Sequence, residues 1–335
     1  MKKYNIAVVG ATGMVGTKFL KVLEEKNLPV ENYYLFASKK SAGKEIDFNG
    51  QKYIVIELTE ENVKKFNGKI DIALFSAGGG TSKEFAPKFV EIGAVVIDNS
   101  SQWRMDPNVP LVVPEVNPED IKKHNGIIAN PNCSTIQAML PLKALHDKFS
   151  IKRIVYSTYQ AVSGAGVAGW NDLQNGICGE EPQKFPYPIF NNLIPQIDVF
   201  LENGYTKEEE KMINETRKIL HDDSLKITAT TVRVPVFNSH SESINLEFNK
   251  KITLDEIKSA LTNFQNIIVV DDIKTNKYPM PLYATGHDEV FVGRIRIDNS
   301  VENGCNLWVC ADNIRKGAAS NAVQIAEYII KNNIL

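Results

Sequence analysis

Hydrophobic positions in the first 130 residues fall in short runs, each closed by a glycine-rich or polar turn. Asn5 to Val9, Tyr33 to Ala37, Ile70 to Phe75, Ala94 to Asp98 and Gly126 to Ala129 read as buried strands. Helical spacing appears between them, in Phe19, Leu20, Val22 and Leu23 and again from Thr81 to Ile92, a stretch that contains Pro87. Strands alternating with helices through glycine turns predict an α/β domain with a doubly wound, mostly parallel sheet of Rossmann type. Beyond Asn132 the apolar residues Ile136, Met139, Leu140, Leu145 and Phe149 mark a helix, with Asn132 as its N-cap.

The second half has another rhythm. Ile151 to Val162, Lys226 to Val236, Ser241 to Asn249, Glu289 to Ile297 and Cys305 to Ala311 are long and rich in β-branched or aromatic residues. The helices predicted among them are Thr206 to Leu220, opened by the capping box Thr206-Lys207-Glu208-Glu209, and Thr253 to Phe264. This predicts a second, α+β domain with a large mixed or antiparallel sheet. Residues 179–195 are rich in proline and aromatics and read as irregular. An amphipathic helix from Asp312 to Lys331 closes the chain and could pack back on the first domain.

Composition narrows the field. At 335 residues two domains are the default. A net charge of −2 with no basic run argues against nucleic acid and anionic membrane surfaces as partners. The apolar run after Met1-Lys2-Lys3 is too short for a signal peptide and fits a first strand better. Four scattered cysteines suggest no disulfide framework and a reducing, cytoplasmic location. The five histidines lack metal-ligand spacing, so no metal is expected.

Candidate chemistry lies at the turns. Gly10-Ala11-Thr12-Gly13-Met14-Val15-Gly16 links a strand to a helix start, the arrangement that holds a pyrophosphate on backbone N–H groups. About 20 residues further on, where an acid would meet a free ribose hydroxyl, stand Ser38, Lys39, Lys40 and Ser41, which suit a ribose phosphate. Ser76-Ala77-Gly78 follows another strand and lets backbone approach a ligand. Arg104, in a polar loop, could hold an anion. Cys133 falls in the first turn of its helix, where unpaired N–H groups and the helix dipole favour a thiolate. Gln160 runs into the loop Ser163-Gly164-Ala165-Gly166, Arg233 is a possible carboxylate clamp, and His240 a possible general base. Glu208 and Lys211 share a helix face, as a surface ion pair would.

Taken together, the glycine turn, Asn130-Pro131-Asn132-Cys133-Ser134-Thr135, Gln160 with its glycine loop, Arg233 through His240, and Asp312 through Ala319 resemble the aspartate-semialdehyde dehydrogenase family over nearly the whole chain. The resemblance implies an NADP-binding domain of residues 1–132 plus 313–335, and a catalytic and dimerisation domain of residues 133–312. It implies Cys133 as nucleophile, His240 as acid/base and Gln160 as the residue orienting the covalent intermediate. Arg233 would bind the substrate carboxylate and Glu208 its amino group. Arg104, Asn132 and Lys211 would surround the phosphate. Gly10, Thr12, Gly13, Met14, Val15, Gly16, Ser38, Lys39, Lys40, Ser41, Ser76, Ala77, Gly78, Ser163, Gly164, Asn313 and Gln324 would hold NADP. The substrates would be aspartyl phosphate, or aspartate semialdehyde with phosphate, and the assembly a homodimer or a tetramer.

Two positions depart from the family pattern: Lys40, where an arginine is expected, and Asn171-Asp172, which departs from the acidic residue usual after the glycine loop. Two other readings stay open. One is a sibling reductase of N-acetylglutamyl phosphate type, the other an NADP-binding regulator without turnover.

Overall fold

The computed structural model describes residues 2–335. The chain forms two compact units, one running to Pro131 and completed by Ala318–Leu335, the other Asn132–Gly317.

The first unit is built on a six-stranded sheet of β1 (Tyr4–Val9), β2 (Val30–Ala37), β5 (Ile56–Glu57), β6 (Ile72–Phe75), β7 (Val95–Asp98) and β8 (Ile127–Ala129). All its pairings are parallel, in the order β5-β2-β1-β6-β7-β8. The helices are α1 (Met14–Lys26), the short α2 (Glu60–Lys64) and α3 (Gly79–Glu91). The C-terminal helix α9 (Asn321–Lys331) adds Val323, Ile325, Ala326 and Ile329 to the core that holds Ile6, Val8, Phe19, Leu23 and Leu74. Burial on this scale is the main force fixing the last helix to the sheet.

Two features differ from the expectation. The last helix starts later than Asp312: the Asp312 carboxylate accepts the N–H groups of Ile314 and Arg315, and a π-helical turn over Arg315–Ser320 precedes α9. A hairpin of β3 (Glu45–Phe48) and β4 (Gln51–Ile54) stands apart from the main sheet, with Asn49 and Gly50 at its tip at φ 50° and 71°.

The second unit holds the mixed sheet of β9 (Ile151–Gln160), β10 (Lys226–Arg233), β11 (His240–Phe248), β12 (Ile267–Val269), β13 (Val290–Asp298) and β14 (Gly304–Ala311), ordered β10-β9-β11-β14-β13-β12. The β10–β9 and β12–β13 pairs are parallel and the rest antiparallel. Its helices are α4 (Cys133–Phe149), α5 (Gly166–Gly176), α6 (Lys207–Leu220), α7 (Leu254–Thr262) and α8 (Pro281–Ala284). Strand β10 stops at Arg233, short of the expected Val236, because Pro235 follows and offers no N–H for a ladder. Helix α5 was not expected from the sequence. Among the described residues no helix is long and apolar enough to cross a membrane.

Candidate active site

Pro131 follows β8, and Asn132 then caps α4: its Oδ1 accepts the N–H groups of Ser134 at 2.9 Å and Thr135 at 3.3 Å. This is the cap the sequence predicts. It places Cys133 at the first helical position, with Sγ 3.2 Å from Nε2 of His240 at the start of β11. The backbone N–H of Ala161 donates to His240 Nδ1 at 2.9 Å. A ring nitrogen that accepts a hydrogen bond carries no proton, so the proton of the neutral ring sits on Nε2 and points at the sulfur. His240 is fully buried, and burial together with the Arg233 charge pushes its pKa down to about 3.

Glu208 is the polar centre of the same region. Its Oε1 accepts from Gln160 Nε2 at 3.0 Å and Asn132 Nδ2 at 2.9 Å, and its Oε2 pairs with Lys211 at 3.0 Å. Burial raises the Glu208 pKa, but the Lys211 charge and the amides of Gln160 and Asn132 outweigh it and hold the value at about 2. Glu208 and Lys211 are thus not the solvated surface pair that their helical spacing suggests, since Glu208 is 5% exposed. The neighbouring acids are used elsewhere. Glu209 closes the capping box with Thr206 and accepts the Thr231 N–H, while Glu210 bonds Asn203 and Asn214.

Arg233, 5% exposed at the end of β10, donates Nη1 to the carbonyl of Ala161 at 2.7 Å, while its Nε meets no acceptor among the described residues. Gly164 leaves the space beside it: a Cβ there would stand 2.8 Å from Arg233 Nη1 and 3.3 Å from His240 Nε2. Gly317 does the same for the cysteine, since a Cβ would come within 2.9 Å of Cys133 Cβ. Asn313 bonds the Ser163 hydroxyl at 3.1 Å and accepts the N–H of Ser239, next to His240.

The first unit carries its own site. Gly10 (φ 87°) and Gly16 are bare by necessity, since a Cβ would lie 2.3 Å from the Ser76 carbonyl oxygen and 2.0 Å from that of Gly10, respectively. Gly13 caps α1 without a side-chain hydrogen bond, so the first turn presents backbone N–H groups. Thr12 donates to Ser41 at 3.2 Å, which ties the glycine turn to the Ser38–Ser41 loop. Lys39 and Lys40 are exposed, and no carboxylate pairs with them among the described residues. This cradle and its cations fit a dinucleotide phosphate. Arg104 is held by the carbonyls of Asn130 and Asn99, both at 3.0 Å, and Gln324 donates to Glu115.

Comparison with known proteins settles the family. Residues 5–124 match the model of the semialdehyde dehydrogenase NAD-binding domain, and residues 142–316 that of the semialdehyde dehydrogenase dimerisation domain. An aspartate-semialdehyde dehydrogenase of Aquifex aeolicus is 59% identical over 99% of both chains. That of Campylobacter jejuni is 54% identical over 97% of both.

The chain belongs to the aspartate-semialdehyde dehydrogenase family.

It is therefore an oxidoreductase of aspartate-family amino-acid biosynthesis that uses a nicotinamide dinucleotide. The crystal structure of aspartate semialdehyde dehydrogenase II from Vibrio cholerae, complexed with ASA, superposes with a TM-score of 0.94 at 45% identity, covering 99% of both chains. The Candida albicans enzyme with NADP superposes with a TM-score of 0.80 at 28% identity over the full length of both. The fold is the expected one, a parallel Rossmann-type sheet plus a mixed-sheet second domain.

Within the second unit the structure gathers Cys133, His240, Gln160, Asn132, Glu208, Lys211, Arg233, Ser163, Gly164 and Asn313. Gly10, Thr12, Gly13, Met14, Val15, Gly16, Ser38, Lys39, Lys40, Ser41, Ser76, Ala77, Gly78, Arg104 and Gln324 belong to the first unit. Asn132 is the cap through its Oδ1, and its Nδ2 donates to Glu208. Sequence reasoning missed Ala161 as the backbone partner of both His240 and Arg233. Nothing in a side-chain motif could have signalled it.

Proposed function

We propose that this family member catalyses the reversible, NADP-dependent reductive dephosphorylation of L-aspartyl 4-phosphate to L-aspartate 4-semialdehyde and phosphate, through a thioester on Cys133. The observation that carries the reading is the 3.2 Å approach of Cys133 Sγ to a His240 Nε2 that bears the ring proton. The Cys133 thiolate, held at the helix start and facing the Nε2–H of His240, attacks the acyl carbon: the S–C bond forms, the C–O bond to phosphate breaks, and phosphate leaves with the electron pair. When bound, the nicotinamide supplies or accepts the hydride that interconverts the thioester and the aldehyde level. Cys133 then departs as a thiolate, and the Nε2–H of His240 stabilises that charge. In this scheme His240 acts as a hydrogen-bond donor to developing charge rather than as an acid/base, and no imidazolium is required.

Within the second unit, substrate charges find opposite partners: the carboxylate with Arg233, the ammonium with Glu208, and the phosphate with Lys211. The Glu208–Lys211 pair, with Glu208 buried and Lys211 half-buried, is complementary to a ligand that carries both an ammonium and a phosphate. It also favours a free amine over an acylated one, which could not pair with Glu208. Lys39 and Lys40 support a cofactor with a ribose phosphate, NADP rather than NAD.

The first unit is assigned to the cofactor and the second to catalysis and pairing with a second copy, in a cytoplasmic homodimer. The matched dimerisation-domain model supports that assembly. A spectrophotometric assay tests the activity. NADPH should form when aspartate semialdehyde, phosphate and NADP⁺ are added together. Formation with N-acetylglutamate semialdehyde instead would overturn the reading.

A further inference from the structure

Asp172, on α5, is 5% exposed and takes three consecutive backbone N–H groups: Gln183 on Oδ1 at 2.9 Å, and Lys184 and Phe185 on Oδ2 at 2.8 and 2.9 Å. These donors outweigh burial and hold its carboxyl below the usual range. The residues it grips open a long segment with little regular structure, between α5 and α6.

That segment reaches Arg233 and Lys211, two of the cations assigned to the substrate. The Phe185 ring lies under the Arg233 guanidinium, with Cζ 5.8 Å from the ring centroid. Ile194 exchanges two backbone hydrogen bonds with Arg233, at 2.8 and 3.0 Å. Asp198 pairs with Lys211 at 2.9 Å. Phe185 also packs on the cluster of Val162, Leu173, Ile189 and Ile194. It fits because Gly169 is bare, for a Cβ there would stand 3.0 Å from Phe185 Cζ.

With one side of its guanidinium against Phe185 and Nη1 tied to the Ala161 carbonyl, Arg233 can offer a carboxylate only its remaining edge. We infer that Asp172 is a positioning residue that clasps residues 183–185, and that Phe185 orients Arg233 and so sets affinity for the substrate carboxylate. This rests on the proposed role of Arg233. The chain of contacts is short and specific. Asp172 fixes the loop backbone, the loop backbone fixes the Phe185 ring, and the ring and Ala161 together leave the guanidinium one orientation. An aromatic ring beside a desolvated guanidinium also holds it by a cation–π contact.

Steady-state kinetics of Asp172→Asn, Asp172→Glu, Phe185→Leu and Arg233→Lys test the inference, with thermal melts on each. Asp172→Asn puts an NH₂ group against N–H donors, and Phe185→Leu removes the ring while keeping an apolar side chain. Each should raise KM for aspartate semialdehyde about tenfold and leave kcat, and KM for NADP, within about twofold. Asp172→Glu, which keeps both acceptor oxygens, should restore most of the affinity. The Asp172→Asn/Phe185→Leu double variant should be no worse than either single variant, because both act through one ring. The inference is overturned if the single variants leave KM for the semialdehyde unchanged, or shift KM for semialdehyde and NADP alike. If Arg233→Lys raises that KM while the loop variants do not, the carboxylate assignment stands and the clasp falls. If Arg233→Lys itself has no effect, the assignment fails and the clasp with it.

Discussion

The backbone N–H of Ala161 donates to Nδ1 of His240 at 2.9 Å, and this one bond decides which ring nitrogen faces Cys133. A protonated ring would set two N–H groups against each other at Nδ1. Burial and the Arg233 charge act in the same direction, bringing the pKa from 6.5 to about 3. His240 should therefore stay neutral from pH 8 down to pH 5. Long-range ¹H–¹⁵N spectra of histidine-labelled protein, assigned with a His240→Ala variant, should show the Nε2–H tautomer throughout. A titration centred near 6.5 would contradict this. The same variant should lose turnover by about 10²–10³-fold, as expected for loss of a positioned hydrogen-bond donor to developing charge.

Much of this site was legible in the sequence. The cap at Asn132 and the capping box at Thr206 and Glu209 follow from local chemistry, and the structure has both. The hairpin 45–54 carries a readable signal in Asn49-Gly50, a turn pair suited to positive φ, and in the alternation of Glu45-Ile46-Asp47-Phe48 before it. Helix α5 was hidden by Gly166, Gly169 and Gly176, which dilute helix propensity. The burial of Glu208 could not be read, because three acids stand in a row and only tertiary packing chooses among them. Asp172 takes backbone N–H groups 11 to 13 residues on, and the Ala161 backbone meets a ring 79 residues away, so no side-chain spacing rule marks either contact.

Glu242, two residues beyond His240 on β11, is fully buried, and its oxygens meet no well-formed hydrogen-bond donor among the described residues. Burial raises its pKa well above 4.5, against the smaller effect of the Gln137 amide. Above pH 4.5 the unfolded chain releases this proton while the folded chain keeps it, so the folded state binds more protons and stability falls as pH rises. Glu242→Gln removes that dependence. Its melting temperature should exceed that of the wild type by more at pH 8 than at pH 5. An advantage that is equal at both, or larger at pH 5, would mean that Glu242 is ionised in the fold.

Gly317 is packed on the nucleophile. In Gly317→Ala the new Cβ would start 2.9 Å from Cys133 Cβ and 3.2 Å from its Cα, so one of the two must move. Misplacing a reacting group by about 1 Å can cost on the order of 10²-fold. The variant should lose at least about tenfold in kcat while still binding NADP, which fluorescence titration of the bound cofactor can check. Unchanged kcat would separate Gly317 from the chemistry.

Lys39 and Lys40 are exposed beside the glycine turn. If they hold the ribose phosphate, Lys39→Ala/Lys40→Ala should weaken NADP binding about 10- to 100-fold, the scale of one or two charge-assisted hydrogen bonds. Binding of NAD, which has no such phosphate, should change little. Equal losses for both cofactors would point to a damaged glycine turn instead.

The central claim is a covalent bond from substrate to Cys133. Mixing the enzyme with aspartate semialdehyde and NADP⁺, without phosphate, should let the thioester form and then stall. After an acid quench, peptide mass spectrometry should find one aspartyl group on the peptide that contains Cys133, with a matching burst of NADPH, and neither in Cys133→Ser. An NADPH burst with Cys133 unmodified, or an aspartyl group on Cys178, Cys305 or Cys310, would contradict the account.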